Sequence, residues 1–95
     1  MTSRRSHSIL VVDDEKTIAD GLRLTFESEG YSVRTAGSVR EALGAVAHSD
    51  PHAAVVDLML PDGDGLHLTR ELKRRDPAIE VIIITAYGSV RKAME

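Results

Sequence analysis

Ninety-five residues set the scale of one small domain, and a composition of 42% hydrophobic but only 3% aromatic residues makes its core an aliphatic one. A formal net charge of -3 gives no bulk attraction to nucleic acid, and the absence of cysteine excludes disulfides, thiolate metal sites and a Cys nucleophile, in keeping with a reducing cytoplasm. No apolar run approaches ~18 residues, so no membrane-spanning helix is expected.

Residues 1–7 are polar and basic, without the apolar centre of a secretory signal, and are expected to form a flexible tail. Ile9-Leu10-Val11-Val12 then runs straight into Asp13-Asp14-Glu15. A short apolar run with a polar boundary reads as a buried strand, here over 8–13, with acids at its carboxyl end. Ile18, Leu22 and Phe26 recur at helical spacing and predict a helix over 15–29, closed by Gly30 in the position of a C′ glycine. Residues 31–36 alternate and predict a half-exposed strand near a sheet edge. Ser38 with Glu41 three residues on forms a capping-box pattern, opening a short helix that ends near His48.

Ala53-Ala54-Val55-Val56-Asp57-Leu58 predicts a third strand with one acid near its end. Residues 61–65, Pro-Asp-Gly-Asp-Gly, read as a loop in which Asp62 and Asp64 serve as turn and cap residues. A helix over 65–74 follows, marked by Leu68 and Leu72 and ended by Asp76-Pro77. Residues 80–85 predict a fourth buried strand ending in Thr85; 86–89 form a loop, and a helix begins at Val90. Residues 73–75, Lys-Arg-Arg, are expected as a solvated helix end, and His7, His48, His52 and His67, which lack metal spacing, as surface residues.

Alternating strands and helices imply a parallel sheet in an α/β fold. Asp13, Asp14, Asp57 and Thr85 then fall at one edge of it, outside the carboxyl ends of the strands, where ligands bind in such sheets. Adjacent carboxylates there repel each other, and a hard divalent cation with oxygen ligands relieves the repulsion. The plainer reading makes Asp13-Asp14-Glu15 a helix cap, Asp57 a turn residue and Thr85 a strand-end β-branched residue.

Three motifs together, Val11-Val12-Asp13-Asp14-Glu15, Asp57-Leu58-Met59-Leu60-Pro61-Asp62-Gly63-Asp64-Gly65 and Ile84-Thr85-Ala86-Tyr87-Gly88, resemble the receiver domain of two-component response regulators. The likeness runs from Ile9 to the end of the chain, and 85–90 look most like receivers fused to sigma-54-dependent activators. The resemblance implies a flavodoxin-like, doubly wound parallel sheet of order 2-1-3-4 over 8–95, without the family's fifth strand and helix. It also implies that Asp57 accepts a phosphoryl group from a sensor histidine kinase. Asp13, Asp14, Asp57 and the Met59 carbonyl would hold Mg2+. Thr85 would bind a phosphoryl oxygen and shift, with Tyr87 reporting the shift. The family's phosphate-pairing lysine, at the end of its fifth strand, has no counterpart, and Lys92 is not assigned that role. The missing elements suggest a piece of a longer transcriptional regulator, prone to self-association or homodimerisation through receiver surfaces. Such a domain is a switch rather than a turnover enzyme, is cytoplasmic, and has no direct contact with nucleic acid or membrane in this segment.

Two other functions compete. A phosphohydrolase with an Asp nucleophile needs a second acid two positions on as general acid; Asp13 has the longer Glu15 there, and Asp57 has Met59. A receiver-like interaction domain that is never phosphorylated would keep the same acids and lack the chemistry.

Overall fold

A computed structural model of the chain describes residues 7–85. The expected loop at 86–89, the helix from Val90, and with them Tyr87 and Lys92 lie outside the described residues, as does most of the expected tail. The elements are β1 (Ser8–Val12), α1 (Lys16–Ser28), β2 (Ser32–Ala36), α2 (Val39–Val46), β3 (Ala53–Asp57), β4 (Met59–Leu60), β5 (Gly63–Asp64), α3 (Gly65–Arg75) and β6 (Glu80–Ile84).

Four strands form one sheet of order β2-β1-β3-β6, with β1 pairing parallel to both β2 and β3, and β3 parallel to β6. This is the expected 2-1-3-4 order, with β6 as its fourth strand. Period-two alternation sends side chains to two faces. On one face Leu10, Val12, Ala54 and Val56 pack with Val39, Ala42 and Val46 of α2 and with Leu68 and Leu72 of α3. On the other, Ile9, Val11 and Val55 pack with Ala19 of α1, joined by Leu22 and Phe26 from the predicted stripe. The central strands β1 and β3 are therefore covered on both sides, which is why they read as unbroken apolar runs.

Local signals explain the helix ends. Gly30 has φ 98, a left-handed conformation that glycine adopts without steric cost, and it closes α1 as expected. Ser38 Oγ accepts the Glu41 N–H at 3.0 Å. The Glu41 carboxylate reaches back to Gly37 N–H at 2.7 Å, one residue beyond the usual capping-box partner. Asp64 caps α3 by accepting the His67 N–H at 2.7 Å.

Four details depart from the sequence reading. The 61–65 loop contains a small antiparallel ribbon, in which Met59 pairs with Asp64 and Leu60 with Gly63. Strand β6, read as buried, is only half covered, and Ile82 is 57% exposed. Among the described residues β6 is a sheet edge, and α1 packs over β1 and β2 rather than over it. The basic end of α3 is not merely solvated: Lys73 Nζ donates to Ile79 O at 2.8 Å, and Arg75 donates to Val46 O at the last turn of α2. Cations at orphan helix carbonyls are favourable. His48, His52 and His67 are exposed as expected, but His7 is half-buried, its ring 4.7 Å from that of His52.

Candidate functional site

The carboxyl ends of β1 and β3 bring three acids together. Asp13 follows directly on β1, and its N–H donates to Ala36 O at 2.9 Å. Asp57 is the last residue of β3. Because β1 and β3 are hydrogen-bonded neighbours, acids separated by more than forty positions in sequence share one rim. Carboxylate oxygens of Asp13, Asp14 and Asp57 all lie within 4.8 Å of one another. Asp13 and Asp57 are buried, at 4% and 8% exposure, while Asp14 faces solvent.

This arrangement is electrostatically strained. Burial pushes the Asp13 carboxyl above its ordinary value, partly offset by the Glu15 N–H that donates to Oδ1 at 2.9 Å. The charges of Asp57, Asp14 and Glu15 push it the same way as burial. That hydrogen bond also serves the start of α1, where Glu15 is the N-cap but makes no side-chain cap of its own. The cap reading of the Asp13-Asp14-Glu15 run is therefore corrected: no acid side chain caps α1 and none lies in its first turn, and the Asp13 bond to Glu15 N–H is a local turn that leads into the helix.

A short backbone path fixes Asp57. Its Oδ1 accepts the Met59 N–H at 3.3 Å. Leu58 N–H donates to Ile84 O at 2.8 Å, and Gly65 N–H returns to Leu58 O at 2.7 Å. A Cβ on Gly65 would lie 2.4 Å from Asp57 O, so the start of α3 can press against the strand end only because that residue is glycine. The Met59 side chain is 72% exposed.

Thr85 follows the Asp57–Ile84 register pair, at the same rim of the sheet. Its Oγ1 is buried and has no hydrogen-bond partner among the described residues. Beside the acids opens a cavity of about 250 Å³, walled by Asp13, Asp14, Asp20, Glu41 and Lys16. A smaller hollow of about 170 Å³ lies at the opposite end of β1 and β2, among Ser8, Ser32 and Pro51, and holds no acid cluster.

The donor set is all oxygen and anionic, which fits a hard divalent cation such as Mg2+. Sequence reasoning missed the reach of Asp62. Its carboxylate accepts the Val39 N–H at 2.8 Å and the Arg40 N–H at 3.0 Å, both in the first turn of α2. Those N–H groups hold its carboxyl below the usual range, Arg40 contributing most. The Pro-Asp-Gly turn showed in the sequence, but a partner 22 or 23 positions away did not.

Comparison with known proteins agrees with this geometry. The family model described as the response regulator receiver domain matches residues 9–95. The response regulator MprA of Mycolicibacterium vanbaalenii is 40% identical over 82 residues, covering 86% of this chain and 36% of that protein. The probable transcriptional regulatory protein TcrX of Mycobacterium tuberculosis is 35% identical over 83 residues, 87% of this chain and 36% of that protein. The chain thus spans about a third of the length of these curated relatives. Among solved structures, the response regulator TrrA of Thermotoga maritima, in complex with Mg2+ and BeF, superposes with a TM-score of 0.81 at 31% identity, over 90% of this chain and 75% of that one. With the flavodoxin-like sheet order and the acids gathered at its rim, the chain belongs to the response regulator receiver domains of two-component systems.

Proposed function

We propose that this receiver takes a phosphoryl group on Asp57 from the phosphohistidine of a sensor histidine kinase and passes the signal to an output that controls transcription. The observation that carries the reading is the convergence of Asp13, Asp14 and Asp57 oxygens within 4.8 Å at one sheet rim. An Asp57 oxygen forms the new bond to phosphorus as the phosphorus–nitrogen bond breaks, and the imidazole leaves with the bonding pair. Asp13, Asp14, Asp57 and the Met59 carbonyl would hold Mg2+. When bound, the cation supplies the charge neutralisation that lets a carboxylate approach an anionic phosphoryl group. The Thr85 hydroxyl, buried and without a partner among the described residues, would donate a hydrogen bond to a phosphoryl oxygen. Its movement on phosphorylation would bias two packings of the β6 end.

The domain acts once per phosphoryl group and is not a turnover enzyme. We place it in the cytoplasm, where kinase and transcription output meet; no helix among the described residues is long and apolar enough to cross a membrane. The exposed Ile82 on the β6 edge suits self-association of receivers.

The test is phosphorylation with a small acyl-phosphate donor, read by intact mass and by acid- and base-lability of the adduct. One phosphoryl group, dependent on Mg2+ and lost in Asp57→Asn, is the expected result. A chain that folds and binds Mg2+ yet never gains the mass would instead be a receiver-like interaction domain. Repeated turnover of a phosphomonoester would point to a hydrolase.

A further inference from the structure

We propose that Asp62 is a positioning residue for the metal-binding rim, tying the ribbon that carries Met59 to the first turn of α2. The inference rests on the Mg2+ and phosphoacceptor reading above.

Between Asp57 and Gly65 the chain must leave β3, carry Met59 past the phosphoacceptor and re-enter as α3. Its root is well held by the Leu58–Ile84 and Gly65–Leu58 backbone bonds. Beyond the root it has little support. Residues 61–64 are exposed, and β4 and β5 contribute only two residues each. A two-stranded ribbon of that size does not hold its shape in water unaided. Leu60 packs on the core at one side. The far end is fastened by Asp62, each of whose oxygens takes one N–H of α2, from Val39 and from Arg40. These donors have no partner within the helix, and a carboxylate at a helix N-terminus also meets a favourable dipole. Gly63 lies against the same turn: a Cβ there would sit 3.2 Å from Val39 Cγ2.

Helix α2 already has a cap of its own, since Ser38 Oγ takes the Glu41 N–H. The two caps differ in what they join. Ser38 is local to the helix, whereas Asp62 links the helix to the ribbon that begins two residues after Asp57. Through that link the position of α2 is coupled to the Met59 backbone.

The experiment is an Mg2+ titration followed by backbone amide NMR and thermal melting on the wild-type chain, Asp62→Ala, Asp62→Asn and Ser38→Ala. Asp62→Ala is expected to weaken Mg2+ binding about tenfold, the lower end for groups that support metal ligands. Asp62→Asn keeps the shape and one acceptor oxygen, and should fall between. Ser38→Ala should lower the melting temperature and weaken Mg2+ binding distinctly less than Asp62→Ala, because it leaves both Asp62 bonds to α2 in place. Wild-type affinity in both Asp62 variants, or equal weakening in Ser38→Ala, overturns the proposal. A well-dispersed wild-type spectrum indifferent to Mg2+ overturns the underlying phosphoacceptor reading and this inference with it, so the wild-type titration tells the two failures apart.

Discussion

Asp13→Asn should make the metal-free domain more stable and deprive it of its response to Mg2+. In the wild type Asp13 and Asp57 are both buried, at 4% and 8% exposure, with carboxylate oxygens no more than 4.8 Å apart. Two unit charges at that separation repel by about 1 kcal/mol in bulk water and by about 3.5 kcal/mol at an effective dielectric constant of 20. Solvent reaches Asp14 freely, so the low end of the range applies to its pairs. Asparagine removes the Asp13 charge and retains the oxygen that accepts the Glu15 N–H. Desolvation of the new amide offsets part of the gain, leaving a net stabilisation of about 1 kcal/mol. In a domain of this size that corresponds to a rise of about 4–8 °C in melting temperature. The assay is thermal denaturation by circular dichroism in EDTA and in excess Mg2+. At about a hundred times its dissociation constant the cation should stabilise the wild type by about 2.7 kcal/mol. It should leave Asp13→Asn nearly unmoved. A variant that melts below wild type in EDTA, or that gains as much from Mg2+, would refute the reasoning that the acids are held together at a cost which the cation relieves.

Gly65→Ala should destabilise the domain by about 1–3 kcal/mol or more, since the new Cβ meets Asp57 O at 2.4 Å and backbone cannot swing aside; urea denaturation measures the loss, and amide shifts at Asp57 and Met59 locate it. Asp62 gives an acid-side pH dependence: the Arg40 and Val39 N–H groups hold its folded-state pKa below the ordinary aspartate value, so its contribution to stability is present above that ordinary value and disappears as pH falls through the folded one. Urea midpoints between pH 6 and pH 2 should therefore fall more steeply in wild type than in Asp62→Asn, and parallel curves would contradict the assignment.

How much of the site was legible depended on the distance between the residues involved. Asp13, Asp14 and Asp57 each stood out because an apolar strand delivers an acid to its own end, a pattern contained within six residues. Gly30, Ser38 and Asp64 were equally local, since a cap is chosen by the turn it closes. The ribbon at Met59–Asp64 was missed because two residues a side are too few to show alternation, and two glycines and a proline read as loop.

The sequence by itself determined the order of the four sheet strands and the three described helices, the aliphatic core and the acids at the strand ends, because hydrophobic periodicity and turn chemistry act over one or two turns of chain. Tertiary structure decided the rest. Strand order brought β1 beside β3 and so set Asp57 against the adjacent pair Asp13 and Asp14, in one cluster with a raised Asp13 pKa. The placement of α1 over β1 and β2 left Ile82 exposed on an edge that its composition alone marked as buried. Packing of the ribbon on α2 gave Asp62 two N–H partners that no local pattern announces. Burial and charge coupling depend on which surfaces meet in space, and the linear order of residues states that only where neighbours in sequence are also neighbours in the fold.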